Sequence, residues 1–307
     1  KLKKYIFVLF FLASFTTFAQ KKYPNNYFRS PLDIPLKISG TFGELRNNHF
    51  HAGIDIKTNH RTGLKVYATA DGYVSRIKVA LWGYGKTIYI THPNGYTSVY
   101  AHLSKFGDGI QEYVKNIQYQ KESYETGNMY PEENKILVKK GEIISYSGRT
   151  GGYVAPHLHY EIRDTKTEHI INPMLLGLKI QDSIAPRINK LIAYSIGSNS
   201  RINRSTKKQS LSIKKDTLNS YITSRISASG KIGFGINAYD FLGKESNKNG
   251  VYSIEMLVNG KRHYYHDLET FSFPESKYIN LLIDYPHYAS YKSRIQKTFL
   301  EKENKLS

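Results

Sequence analysis

Short runs of alternating apolar and polar residues recur along most of the chain, separated by glycine, asparagine and proline. An alternation of period two is typical of β-strands that bury one face. Runs of this kind lie at 65–68, 73–77, 87–90, 96–100, 142–146 and 157–162. The Pro-Asn-Gly turn at 93–95 predicts that the third and fourth runs form a hairpin. We therefore predict a small, glycine-rich, mostly antiparallel β domain over residues 30–178.

One segment inside this domain departs from the alternation. Residues 106–139 are more polar, and weak helical spacing is visible at 111–118. We interpret the segment as an insertion that forms a loop or a short helix at the rim of the domain.

The second half of the chain carries further strand patterns beyond a boundary near 181–186. Strands are predicted at 231–238 and 251–258, and an Asn-Gly turn follows at 259–260. The pattern favours a β-sandwich over 187–307 that resembles an immunoglobulin fold, although the cysteines and tryptophan typical of that fold are missing from it. The chain begins with lysine rather than methionine and ends at 304–307 without a terminal signal, so a fragment with an incomplete second domain is also an expectation.

The amino-terminal residues have the layout of a secretory signal peptide. Positive charge at Lys1, Lys3 and Lys4 precedes an apolar run over 5–18, and a small-residue site ends it. The run is shorter than the ~20 residues that a membrane-spanning helix needs. We predict a signal peptide over 1–19 and export to the periplasm or the extracellular side of the cell envelope, with no membrane span after cleavage. An uncleaved amino-terminal anchor is the alternative.

The composition limits which binding partners and which kinds of metal ligand are expected. The chain has 44 Lys and Arg against 25 Asp and Glu, and its formal net charge is +19. Such a basic exported protein is expected to be attracted to anionic polymers of the cell envelope. No nucleic-acid-binding motif or basic helical stripe is visible, so nucleic acid is not an expected partner. Because the chain has no cysteine, disulfides, a lipid anchor on cysteine and thiolate metal sites are excluded, and any metal must bind histidine and carboxylate side chains.

Several of the 11 histidines lie in spacings that suit a metal site. In the segment His-Ala-Gly-Ile-Asp, His51 and Asp55 can meet one cation if the chain turns tightly between them, which the glycine permits. His157 and His159 are two residues apart, so on a strand they share one face. One can then bind a metal while the other handles protons. His102, at the end of a predicted strand, has no distinguishing spacing of its own.

In combination, these segments resemble the lysostaphin/LytM family of zinc peptidoglycan endopeptidases. The resemblance covers residues 36–173 and rests on five segments in the order typical of the family. They are Gly-Thr-Phe-Gly at 40–43, His-Ala-Gly-Ile-Asp at 51–55, Val-Tyr-Ala-Thr-Ala-Asp-Gly at 66–72, Tyr-Ala-His-Leu at 100–103 and Pro-His-Leu-His-Tyr-Glu at 156–161. The resemblance implies a small antiparallel β fold with zinc in a groove across the sheet.

The resemblance also implies a role for each histidine of these segments. Carried over by position, His51, Asp55 and His159 bind one Zn²⁺ and leave its fourth coordination position open. His102 and His157 correspond to the two histidines of the family that are not ligands. They would orient or deprotonate water, stabilise the oxyanion and protonate the leaving amine, in a division of labour that the residues leave open. The implied activity is hydrolysis of peptide bonds in bacterial peptidoglycan, for cell-wall remodelling or lysis.

Two other functions stay open. Some relatives of this fold have lost zinc ligands and act as cell-wall-binding regulators of other hydrolases, whereas this chain keeps the whole ligand pattern. An exported peptidase that acts on proteins would use the same chemistry on an amide. For residues 187–307, positioning of the catalytic domain, binding of an envelope partner and a passive scaffold are all compatible with the sequence. His49 is the other histidine near enough in sequence to be confused with a ligand.

Overall fold

The computed structural model describes residues 23–152, 155–216, 219–243 and 247–306. The segment interpreted as a signal peptide, 1–19, lies outside the described residues. Within them, strands form most of the regular structure, and every pairing between two strands is antiparallel. The prediction of a mostly β, antiparallel protein is therefore confirmed.

The first half of the chain contains all six strands predicted from the alternation. β5 and β6 form the predicted hairpin. The strands are β1 (Ile38–Gly40), β2 (Ile54–Lys57), β3 (Lys65–Tyr67), β4 (Gly72–Val79), β5 (Thr87–Thr91), β6 (Tyr96–Ala101), β7 (Lys105–Phe106), β8 (Gly127–Met129), β9 (Leu137–Val138), β10 (Ile143–Tyr146), β11 (His157–Asp164) and β12 (Ile170–Ile171), with a helix α1 (Asp108–Gln120) after β7 and a 3-10 turn at Pro173–Leu176.

These strands form two sheets that share one apolar core. The larger sheet has the strand order β1-β2-β11-β6-β5-β4-β8, and the smaller has the order β3-β10-β7. Ile77 and Ile88 of the larger sheet belong to the same buried cluster as Val66 and Ile144 of the smaller one. Alternating apolar residues cause this arrangement, because each strand then turns one face towards the core. The order of the larger sheet puts β11 between β2 and β6, which decides the geometry of the site described below.

The helix α1 confirms the helical spacing noted inside the segment 106–139. Ile110 and Val114 are four residues apart and are both buried, so the helix packs one face on the domain. After the helix, β8 and β9 both pair with β4, so this segment lies along one edge of the larger sheet. No helix in the described ranges has the length and apolar character needed to cross a membrane.

The second half of the chain forms a separate four-stranded sheet and two hairpins. The sheet has the order β14-β13-β17-β21, and β15 pairs with β16 and β18 with β19. The strands predicted at 231–238 and 251–258 fall largely within β17 and β18, and the immunoglobulin-like sandwich stays a prediction. The elements are β13 (Arg187–Ile202), β14 (Gln209–Leu211), β15 (Ile213–Lys215), β16 (Tyr221–Thr223), β17 (Ala228–Tyr239), β18 (Ser253–Val258), β19 (Lys261–Asp267), β20 (Thr270–Phe271) and β21 (Gln296–Lys297), with α2 (Ile279–Leu282), α3 (Tyr285–Tyr291) and a 3-10 turn at Glu275–Tyr278.

The carboxy-terminal part contributes directly to the first domain. The short strand β20 pairs with β12, which pairs with β11 of the larger sheet. Leu268, Phe271, Ile279 and Leu282 are buried in the same apolar cluster as the strands of that sheet. Full burial of one such side chain stabilises a fold by about 1.5–3 kcal/mol. Residues 268–282 are therefore part of the structural unit that carries the candidate site.

Asp284 links three parts of the carboxy-terminal region. Its carboxylate caps α3 by accepting the backbone N–H of His287. It also accepts the hydroxyl of Tyr194 at 2.8 Å and the ammonium group of Lys208 at 2.5 Å. Burial raises the pKa of Asp284, but the contacts with Lys208 and Tyr194 outweigh burial and lower the pKa below its usual value. Its contribution to stability is therefore complete above about pH 4 and is lost as the pH falls through the lowered pKa.

We expect Asp284→Asn to lower the free energy of unfolding by up to about 1 kcal/mol at neutral pH. The amide keeps an acceptor for the helix cap but loses the charge opposite Lys208. The difference from the wild-type protein is expected to shrink below about pH 4, where Asp284 itself becomes protonated. Urea unfolding at neutral and acidic pH measures both values, with the exposed Glu303→Gln as the control. If the difference in the free energy of unfolding between Asp284→Asn and the wild-type protein grew at acidic pH, the stabilising role of the Asp284 charge would be wrong.

Candidate metal centre

Three neighbouring strands bring the site residues predicted from the sequence together. Asp55 of β2 is directly opposite His159 of β11. His159 is also opposite Ala101, the last residue of β6, and His102 follows Ala101. Directly opposite residues of neighbouring strands project to the same face of a sheet. Residues far apart in the sequence therefore surround one point.

The three predicted metal ligands converge on that point. Nε2 of His51 lies 3.1 Å from Oδ1 of Asp55 and 3.2 Å from Nδ1 of His159, and the latter two atoms are 2.9 Å apart. A tetrahedral zinc ion with bonds of about 2.0 Å holds its ligand atoms about 3.3 Å apart. Two imidazole nitrogens and one carboxylate oxygen at this spacing therefore fit such an ion.

A bend before β2 places His51 beside Asp55. At Gly53 the backbone passes so close to β11 that a Cβ atom would lie 2.3 Å from the carbonyl oxygen of Tyr160. Glycine alone allows this approach, in agreement with the tight turn expected from the sequence. The Nδ1–H of His51 donates to the carbonyl of Thr41 at 2.7 Å. The lone pair of His51 is therefore on Nε2, the atom that faces Asp55 and His159.

Glu161 orients the imidazole of His159 from the opposite side. It accepts the Nε2–H of His159 at 2.9 Å, so the lone pair of His159 is on Nδ1, which faces Asp55. Glu161 is fully buried. It also accepts the hydroxyl of Tyr84 and two N–H groups of Arg163, at 2.8 and 2.6 Å. A carboxylate behind a ligating histidine fixes the tautomer of the ring and raises its basicity.

The pKa values of these groups follow from the same contacts. Burial raises the pKa of Glu161, but Arg163 and the hydrogen bond from His159 outweigh it and lower the pKa to about 2. Burial also raises the pKa of Asp55, and His51 and His159 bring it well below its usual range. For His159, burial lowers the pKa, but the hydrogen bonds to Asp55 and Glu161 raise it to about 9. Two carboxylates thus favour positive charge between them, and a metal ion and a proton compete for that place.

His102 reaches the centre through an uncommon backbone conformation. Its φ is 61°, in the left-handed region that residues other than glycine seldom adopt. Its backbone N–H donates to the carbonyl of Tyr84 at 3.0 Å, and its ring Nδ1–H donates to the carbonyl of Thr150 at 2.9 Å. Burial, with the nearby His159 and His157, lowers the pKa of His102 to about 3. The ring is therefore neutral at neutral pH, with its lone pair on Nε2.

His157 lies beside His102. Its Nδ1–H donates to the carbonyl of Ala155 at 2.9 Å, which leaves the lone pair on Nε2. That atom is 3.7 Å from Oδ1 of Asp55, and the ring centres of His157 and His102 are 4.7 Å apart. Both rings therefore place a basic nitrogen next to the candidate metal centre.

Two residues of the centre were missed in the sequence analysis. Glu161 is two residues beyond His159, so strand alternation already places both side chains on one face, and this signal could have found it. Tyr84 lies in the loop before β5, with its ring centre 5.2 Å from that of His159, and no spacing in the sequence connects the two. His49 is exposed in a bend and makes its ring contact with the carbonyl of Asn47, outside the centre.

A cleft of about 730 Å³ opens in front of the centre. One wall is the segment 44–52, which precedes β2. A second wall contains Phe273, Ser276, Lys277 and Arg294 from the carboxy-terminal part. A cleft of this size accommodates a small ligand or a short stretch of peptide.

We expect Glu161→Gln to lower zinc affinity about 10- to 100-fold, because the negative charge that raises the basicity of His159 is lost. Arg163 also loses its buried partner, which is expected to reduce the free energy of unfolding by about 3–5 kcal/mol. Zinc affinity is measured by competition with a chromophoric chelator, and folding by circular dichroism. Glu168→Gln removes the exposed partner of Arg163 and is expected to keep zinc affinity. A folded Glu161→Gln protein with wild-type zinc affinity would show that the charge has no such role.

Part of the chain that forms this centre matches a known protein family. Residues 49–121 match the sequence model described as "Peptidase family M23". The match includes three residues of the centre, His51, Asp55 and His102, and ends before β11.

Characterised proteins that are similar to this chain match less than half of it. DD-carboxypeptidase/endopeptidase Mpg of Neisseria meningitidis serogroup B is 35% identical over 147 residues, which are 46% of this chain and 27% of the relative. Peptidoglycan DD-endopeptidase ShyC of Vibrio cholerae serotype O1 is 30% identical over 141 residues, which are 44% of this chain and 26% of that protein. The chain thus spans about a quarter of the length of these relatives.

A solved structure is similar to part of the chain. The catalytic domain of the antimicrobial peptidase lysostaphin from Staphylococcus simulans is 24% identical and superposes with a TM-score of 0.34. The overlap covers 45% of this chain and 90% of that domain.

Proposed function

We propose that this chain, which carries a peptidase family M23 domain, is a zinc-dependent endopeptidase that hydrolyses peptide bonds in bacterial peptidoglycan. The observation that carries the proposal is the convergence of one ligand atom each from His51, Asp55 and His159 within 3.2 Å of one another. A purely structural zinc site has four protein ligands, whereas a catalytic one has three and stays accessible. The cleft in front of these three atoms supports the catalytic alternative.

In this proposal His51, Asp55 and His159 hold the zinc ion. The carbonyl of Thr41 and the carboxylate of Glu161 keep the two imidazoles in the tautomers that direct a lone pair to the centre. When bound, the ion supplies a Lewis acid that lowers the pKa of water and polarises an amide carbonyl.

His102 and His157 perform the proton transfers in this proposal. In the neutral form of each ring the lone pair is on Nε2, because Nδ1–H is held by a backbone carbonyl. These nitrogens accept a proton as water attacks the amide and return one to the departing amine. The balance of the reaction is one water consumed per C–N bond broken, with one carboxyl group and one amine formed.

Two observations support peptidoglycan as the proposed substrate: the names of similar proteins and the positive charge of the chain. The names of two relatives, DD-carboxypeptidase/endopeptidase Mpg and peptidoglycan DD-endopeptidase ShyC, refer to peptide-bond cleavage, the latter in peptidoglycan. A net charge of +19 favours contact with anionic polymers of the cell envelope. Export through a signal peptide at 1–19 belongs to the same proposal. The proposal also includes a division of the chain into a catalytic domain over 30–178 and an immunoglobulin-like domain over 187–307.

The test incubates the purified chain, from Gln20 onward, with isolated peptidoglycan sacculi and analyses the released fragments by mass spectrometry. Parallel samples contain a chelator, a chelator followed by added zinc, or the His159→Ala variant. We expect peptide-bond cleavage that the chelator and the substitution both remove and that zinc restores. Cleavage that persists in chelator would contradict zinc dependence. The absence of both cleavage and bound zinc would instead favour a binding module.

A further inference from the structure

The carboxy-terminal part braces the segment that leads to the first metal ligand. Asn47 accepts hydrogen bonds from the hydroxyl of Tyr288 and, at 2.7 Å, from the guanidinium of Arg294. The buried N–H of Phe50 donates to the hydroxyl of Ser276 at 2.7 Å. These contacts join residues more than 200 positions apart in the sequence. The two walls of the cleft are therefore held in one arrangement.

The charges along the cleft are unequal. Among its lining residues, the cations Arg46, Lys277 and Arg294 face the carboxylates Glu44 and Asp55. Asp55 belongs to the metal centre, and Arg46 pairs with Glu44 at 2.9 Å and with Asp55 at 3.4 Å. Arg294 also acts on Glu44, whose pKa it lowers against the effect of burial. The lining therefore has three cations against two carboxylates, and among the described residues Lys277 is the lining cation that forms no ion pair with either carboxylate. A bound divalent metal ion adds further positive charge at the floor of the cleft.

Part of the donor capacity of the two arginines is unused. Among the residues that the structure describes, the Nε–H groups of Arg46 and Arg294 are buried and lack a hydrogen-bond partner. Guanidinium groups match the two oxygens of a carboxylate particularly well, because their N–H groups form a planar fork.

We propose that Lys277 and Arg294, together with Arg46, bind a carboxylate of the peptide substrate, so that the cleft selects acidic peptides. The inference rests on the proposed function and adds a substrate preference to it. The carboxy-terminal part is then a wall of the substrate cleft that supplies the selecting cations. Phe273, 44% exposed on the same wall, offers an apolar surface to the neighbouring part of the peptide.

The test uses the zinc-loaded full chain and one cross-linked muropeptide in two forms. One form has free carboxylates, and in the other the carboxylates are converted to carboxamides. KM and kcat are measured for both forms by mass spectrometry. Binding of both forms to the His157→Ala variant, which is expected to turn over too slowly to interfere, is measured by calorimetry.

We expect the wild-type protein to show a KM about 10-fold lower for the carboxylate form, the size expected for one charge-assisted contact. Lys277→Gln and Arg294→Gln are each expected to raise the KM for the carboxylate form towards that of the carboxamide form. The zinc content and kcat are expected to change little in Lys277→Gln, whereas Arg294→Gln also removes the contact with Asn47. Arg294→Lys, which keeps the charge, is expected to recover part of the preference. Arg262→Gln, on the β18–β19 hairpin away from the cleft, is the matched control and is expected to behave as wild type.

Equal KM values and equal calorimetric affinities for the two forms in the wild-type protein would overturn the inference. The same holds if Lys277→Gln and Arg294→Gln weaken both forms equally, because those residues would then act only on the shape of the cleft. Absence of cleavage in the wild-type protein contradicts the proposed function alone. In that case calorimetry still tests the inference. Tighter binding of the carboxylate form supports it, and equal or weaker binding of that form contradicts it.

Discussion

Alanine in place of His51 is expected to abolish stoichiometric zinc binding and, with it, peptide-bond hydrolysis. His51 supplies one of the three converging ligand atoms, 3.1 Å from Asp55 and 3.2 Å from His159. A catalytic zinc ion needs three protein ligands, so the two that remain are expected to hold it weakly. We expect a loss of hydrolysis of about 10³-fold or more, because several kcal/mol of Lewis-acid stabilisation disappear. Elemental analysis of the purified protein and fragment analysis of digested sacculi measure the two effects.

His49→Ala is the matched control for zinc binding. His49 is only two residues away from His51 but is exposed, and its ring contacts the carbonyl of Asn47 at 2.7 Å. We expect this variant to keep its zinc. Loss of zinc from His49→Ala with retention by His51→Ala would show that the ligand assignment is wrong.

Alanine in place of His102 or His157 is expected to slow hydrolysis while the zinc content stays stoichiometric. Neither ring nitrogen belongs to the converging ligand set, and each Nε2 is a proton acceptor next to it. General acid–base groups contribute about 10²- to 10⁴-fold to rate. We expect a fall in kcat of this order with a much smaller change in KM. Both constants and the zinc content are measured on the same preparations.

His169→Ala provides the comparison for these two variants. His169 is exposed in the turn that follows β11, the strand that carries His157. The His169→Ala variant is expected to have the kcat and the zinc content of the wild-type protein. If His102→Ala and His157→Ala lost zinc in parallel with activity, they would act as ligands or supports of the metal rather than in proton transfer. If neither variant slowed hydrolysis, the proton-transfer role would be wrong for both.

The carboxy-terminal part changes how the domain organisation is interpreted. From the sequence, positioning, partner binding and a passive scaffold were all compatible with residues 187–307. The structure adds β20 to the sheet of the first domain and places Lys277 and Arg294 on the wall of the cleft. A truncated chain that stops before residue 268 would therefore lack Leu268 and Phe271, which cover the apolar core, and would also lack this wall of the cleft. Functional experiments on this protein are for this reason designed on the full chain.

Several features of the protein were determined by local sequence. Period-two alternation identified β6 and β11, two of the three strands around the centre, since each strand must turn one apolar face to the core. The third, β2, which carries Asp55, was not among the predicted strands. The spacing of His157 and His159 placed both rings on one face, as β11 has them. The glycine between His51 and Asp55 indicated a tight turn, and its backbone does approach β11 closely. Such features depend on neighbours within a few residues, which a sequence displays directly.

Other features were decided by the tertiary structure alone. Asp55 and His159 are 104 residues apart, and they face each other because β11 lies between β2 and β6, an order that no local pattern specifies. Tyr84 joins the centre through a loop, and its hydrogen bond to Glu161 depends on how that loop folds over β11. The cations Lys277 and Arg294 line the cleft because the carboxy-terminal part, through β20 and its pairing with β12, docks on the first domain. The sequence therefore determined which residues have the chemistry of a metal centre, and the order and packing of the strands decided which of them meet and what surrounds them.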